Sequence, residues 1–89
     1  MKKDFKSVVV ESNVPTTFEH TITPTWTGIL RIGTSCSCAK IPNPQRDCVE
    51  NQPLTFEFVV TKNYDFTGYI RYYNDHTLIS ETELEIKTK

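Results

Sequence analysis

Three cysteines and two histidines are the side chains in this chain whose types and spacing could do chemistry. Cys36 and Cys38 stand two apart in Thr34-Ser35-Cys36-Ser37-Cys38-Ala39. In an extended segment both project from one face, with Cα atoms about 6.6 Å apart. That separation suits two ligands on one metal better than a mutual disulfide, whose Cβ vectors must converge. Cys48 offers a third thiolate and His20 or His76 a fourth ligand, which together would make a tetrahedral Cys3His zinc site. The plainer reading is that the thiols pack as small hydrophobes. A disulfide involving Cys48 is the third possibility, under oxidising conditions. An odd number of cysteines makes a poor disulfide framework, and reduced thiols are the default for a cytoplasmic chain.

Other catalytic patterns find no footing. No serine stands in a nucleophile elbow with a His and an acid, and no motif supports a Cys–His nucleophile pair. Three glycines form no phosphate-cradling loop. The expectation is a protein that is not an enzyme, with no catalytic residue, no cofactor and no small-molecule substrate.

A second cluster points to binding. Tyr64, Phe66, Tyr69, Tyr72 and Tyr73 gather around Arg71. On one strand Tyr69, Arg71 and Tyr73 share a face, while Ile70 and Tyr72 share the other. An outward Tyr/Arg/Tyr row has the composition of an interface hot spot, although cross-strand aromatic packing on a solvated face would look the same. Lys2 and Lys3, in a basic N-terminal arm over residues 1–6, are the other candidate contacts.

These side chains need strands to position them. Residues 54–61 alternate Leu54, Phe56, Phe58 and Val60 with Thr55, Glu57 and Val59, the period of a half-buried strand. Residues 16–23 place Phe18, His20 and Ile22 on one face. Residues 5–11, 29–32, 68–73 and 77–88 read as further strands, and Cys48-Val49 as a short edge pairing. Residues 40–53, with Pro42, Pro44 and Pro53, read as a long irregular connection. Nothing repeats apolar residues at helical spacing. The charged row Glu81, Glu83 and Glu85 reads as an edge or outer face.

At 89 residues the chain is one domain with a modest core. A net charge of -1 gives no basic footprint for nucleic acid or for an anionic membrane surface. The longest apolar run near the start, Val8-Val9-Val10, is too short for a signal peptide, so the chain reads as made and kept in the cytoplasm.

The Cys motif also carries a resemblance. After the apolar pair Leu30 and Ile32, the run Ser35-Cys36-Ser37-Cys38-Ala39 resembles the Ser-Cys-Gly-Cys-Thr signature of a bacterial domain-of-unknown-function family. Ser37 and Ala39 stand where that signature has Gly and Thr. Phe56 and Phe58 match the family's next strand, Gly68 leads another, and Leu84 and Ile86 fit the closing one. The resemblance implies a single immunoglobulin-type sandwich, similar to major-sperm-protein-like and ciliary ASH modules. It implies no activity.

The resulting expectation is an all-β chain, a single immunoglobulin-like antiparallel β-sandwich of about seven strands. Its size and class are similar to those of small proteins that decorate phage capsids. The expected role is therefore a non-enzymatic auxiliary capsid module, made in the cytoplasm and carried in the virion, with a capsid protein as partner. The rival expectation is a cytoplasmic thiol-dependent metal or redox module using Cys36, Cys38, Cys48 and His20.

Overall fold

The structure, a computed structural model, describes residues 4–89. Among these residues the chain forms eight strands and no helix: β1 (Asp4–Val10), β2 (Thr16–Ile22), β3 (Gly28–Thr34), β4 (Ala39–Lys40), β5 (Gln45–Cys48), β6 (Leu54–Val60), β7 (Phe66–Asn74) and β8 (Thr77–Thr88). One sheet has the order β1-β8-β7-β3-β5 and the other β2-β6-β4. They pack as a β-sandwich. The runs β3-β7-β8 and β2-β6 reproduce the C-F-G and B-E neighbours of the immunoglobulin plan.

Alternation drives the layering. Leu54, Phe56, Phe58 and Val60 of β6 turn inward against Leu30 and Ile32 of β3, Ile70 and Tyr72 of β7, and Leu84 and Ile86 of β8, all buried. A one-residue slip in any of these strands would put its apolar row in water, so the register is strongly fixed. The aromatic centre is Phe56, whose ring lies 6.1 Å from Phe58 and 6.0 Å, edge to face, from Tyr72.

The structure departs from the sequence expectations in three places. β1 pairs with β8 in parallel, Asp4 opposite Thr82 through Val10 opposite Thr88, so the larger sheet is mixed. Asp4, Phe5 and Lys6 belong to that strand rather than to a free arm. Lys2 and Lys3 lie outside the described residues. The edge pairing expected at Cys48-Val49 is found at Cys48 as the end of a longer edge strand, β5, which pairs with β3, while the rest of the segment expected to be irregular opens on Lys40 of β4, which pairs with β6. Of the two positions expected for Glu81, Glu83 and Glu85, edge or outer face, the structure shows the outer face, because β8 is interior to its sheet.

The turns follow their residues. Asn13, Asn51 and Asp75 hold φ values of 61°, 64° and 58°, the left-handed region that Asn and Asp tolerate best among residues with a Cβ.

Candidate functional site

The outward row of β7 contains Tyr69, Arg71 and Tyr73, half-buried between β8 and β3. The register places Tyr69 opposite Glu83 and Arg71 opposite Glu81 on β8, and Arg71 opposite Gly33 and Tyr73 opposite Arg31 on β3. Arg71 Nε donates to Glu81 Oε2 at 3.4 Å, and its guanidinium lies 5.8 Å from the centre of the Tyr69 ring. The glycine opposite leaves room above β3: a Cβ added at Gly33 would meet the Tyr73 ring at 3.7 Å.

Apolar groups border this row. Phe5 lies opposite Glu83 on β1, and Val9 opposite Lys87. Phe5, Val9 and Ile29 are about half exposed, at 53%, 52% and 51%. Leu78 joins Tyr73 through a bulge in β8: Tyr72 pairs with Ser80 and Tyr73 with Leu78, so Ile79 is the additional residue. The face therefore mixes aromatic, aliphatic and charged groups of both signs on a five-stranded support.

The candidate metal ligands are not brought together. Cys36 and Cys38 are joined in a disulfide, with Cα atoms 5.1 Å apart. The chain turns over residues 36–38 instead of running extended, and that turn makes the Cβ vectors converge. Cys48 is the free cysteine. It is buried, and its thiol donates to the Trp26 carbonyl at 3.4 Å. Burial pushes this thiol above its ordinary range, favouring the protonated form. His20 bonds elsewhere, to Asp4. His76 is almost fully exposed in its turn, 3.8 Å from Asp75. Among the described residues no group of three or more His, Cys, Asp or Glu side chains is placed to hold a metal ion.

Sequence reasoning missed one polar network. His20 Nε2 lies 2.6 Å from Asp4 Oδ2, which also accepts from Thr82 Oγ1 at 2.9 Å, and Thr82 Oγ1 lies 2.6 Å from the Tyr72 hydroxyl. Thr82 is fully buried, so these partners satisfy its hydroxyl. The links join residues 16 and 78 positions apart, and no local motif announces them. Beside the network, a cleft of about 520 Å³ opens between Asp4, Trp26, Tyr72, Ile79 and Glu81.

Around Cys36 and Cys38 the bonding is dense. Ser35 N–H donates to the Tyr69 carbonyl at 2.9 Å, and Tyr69 N–H returns to Ser35 Oγ at 2.9 Å. Thr34 Oγ1 reaches the carbonyls of Cys36 at 2.9 Å and Ala39 at 2.8 Å. Thr61 N–H donates to the Cys38 carbonyl at 2.9 Å. One short loop thus holds both sheets.

No protein-family model and no curated protein matches this sequence.

Proposed function

We propose that this chain acts by binding, as an accessory module docking on a larger protein assembly through the outer face of its five-stranded sheet. The observation that carries this reading is the Tyr69, Arg71 and Tyr73 row on β7, a strand paired on both sides and therefore rigidly presented. Tyrosine and arginine dominate binding hot spots because they offer large contact area and directed hydrogen bonds. Phe5, Val9 and Ile29 add exposed apolar area around that row. The charges near it are of both signs: Glu81, Glu83 and Glu85 follow one another along the outward row of β8, with Lys87 at its end, Arg71 opposite Glu81, and Arg31 opposite Tyr73. A mixed field suits a protein surface better than a nucleic acid.

The assembly proposed is a phage capsid, on the ground that a small β-sandwich of this size suits a decorating subunit. Co-sedimentation with purified capsids tests it. Retention by capsids, lost in a Tyr69→Ala/Arg71→Glu/Tyr73→Ala variant that still folds, is the expected result. Retention that survives those substitutions would move the contact to another surface. No retention by any capsid would remove the virion role.

A further inference from the structure

The loop between β3 and β4 is where a covalent bond and a cross-sheet clasp coincide. The Cys36–Cys38 bond closes a ring spanning a single intervening residue, Ser37. Ser35 before the ring and Ser37 within it are exposed, and both cysteines are half-buried, so a soluble thiol can approach from water. Cys48 is buried at 4% exposure and held by Trp26, so it does not compete for the bond.

We propose that Cys36 and Cys38 form a reversible thiol–disulfide exchange site, opened by an external dithiol, whose state governs how firmly Ser35 grips Tyr69. In the opening step, a thiolate of the dithiol attacks one sulfur and displaces the other as a thiolate. The second thiol of the reagent then attacks the mixed disulfide. The protein gains two electrons and two protons as two thiols, and the reagent leaves as its own disulfide.

The mechanical link is short. Ser35 directly precedes Cys36 and makes both hydrogen bonds to the Tyr69 backbone. The Cys36 carbonyl receives Thr34 Oγ1 at 2.9 Å and Ala39 N–H at 3.2 Å, and the Cys38 carbonyl receives Thr61 N–H. With the bond open, residues 36–38 are free to relax toward the wider spacing of extended chain, about 6.6 Å between alternate Cα atoms, against 5.1 Å when bonded. That relaxation pulls on the grip at Tyr69, one end of the Tyr/Arg/Tyr row. The consequence for partner binding rests on the function proposed above; the exchange chemistry and the local loosening do not.

Amide hydrogen exchange on the isolated protein tests the proposal, using a Cys48→Ala background in which Cys36 and Cys38 are the remaining thiols. Dithiothreitol should reduce the pair while the protein stays folded, and oxidised glutathione should restore the bond. In the reduced state the amides of Tyr69, Ala39 and Thr61 should exchange roughly tenfold faster, with the Ile70 and Leu84 amides unchanged. A Cys36→Ser/Cys38→Ser variant should reproduce the reduced pattern without reductant. Equal exchange in the two states, or reduction only after global unfolding, would overturn the proposal. Because no partner is present, the result is independent of whether capsids bind.

Discussion

Asp4 Oδ2 and His20 Nε2 lie 2.6 Å apart, and this contact joins the edge strand of one sheet to the edge strand of the other. His20 sits in the inner row of β2, opposite Phe56 and edge-on to its ring at 5.9 Å. Asp4 opens β1, opposite Thr82. A seam between two sheets is where backbone pairing stops, so side chains must complete it.

The seam predicts an acid response. Partial burial pushes the Asp4 carboxyl up, but hydrogen bonds from His20 and Thr82 and the His20 charge outweigh it and hold the group below the usual carboxylate range. A carboxyl depressed in the folded state adds stability that is present above its unfolded value, about 4, and lost as pH falls through the folded one. Thermal melts of the wild type should therefore fall more steeply below about pH 4 than those of Asp4→Asn. Parallel curves would show that the seam contributes nothing there.

At the alkaline end the acting group is Tyr72. Burial raises its phenol far above the ordinary value, outweighing the hydrogen bond with Thr82, with the Asp4 charge adding to the rise. An acid kept neutral by the fold loses stability as pH climbs past its unfolded value of about 10. In an ultraviolet titration Tyr72 should ionise late, above the ordinary phenol range and together with unfolding. Tyr72→Phe should remove that late step; its persistence would assign it to another residue.

Phe56→Ala should cost about 3–5 kcal/mol, because the ring is 1% exposed and packed among Phe58, Tyr72 and His20. Urea denaturation measures it. A near-neutral midpoint would mean that β6 does not carry the core.

Gly68→Ala probes the clasp from the β7 side. A Cβ there would lie 3.0 Å from the Phe66 ring and 3.1 Å from Ser35 Oγ. Overpacking of this kind costs roughly 1–3 kcal/mol. The same urea measurement checks it, and a loss below that range would show that Ser35 yields easily.

On the smaller sheet Glu19 and Glu57 stand directly opposite one another. Like charges so placed are destabilising, by about 0.2–1 kcal/mol. Glu57→Lys should raise the melting temperature at low salt, with the gain shrinking as salt is added. A fall in melting temperature would mean that Arg46, which reaches the neighbouring Thr55 carbonyl at 3.4 Å, already offsets the pair.

Strands with several residues in alternation were legible in the sequence. The expected span 54–61 became β6 (Leu54–Val60), and 77–88 became β8 with the same limits. Alternation also separated the two faces of β7, and the structure turns Ile70 and Tyr72 in and Tyr69, Arg71 and Tyr73 outward. Partners were not legible, because pairing joins residues far apart along the chain. β4 and β5 are two and four residues long, too short for a period to show among three prolines. The cysteine geometry failed for a local reason: spacing fixes a Cα distance only once the backbone conformation is known, and Cys36 and Cys38 sit on a turn. The Asp4–His20 link had no signal at all, since neither residue belongs to a motif.

The parallel pairing of β1 with β8 also sets how the molecule bears load. Asp4 begins β1 beside Thr82, and Thr88 ends β8 beside Val10. Tension applied at Asp4 and Thr88 draws these neighbours past one another lengthwise. All seven registered positions between Asp4 and Val10 then resist together, instead of parting one by one as in a peeled hairpin. Rupture under force is governed by the unfolding barrier, and tension in this direction loads the β1–β8 pair in shear.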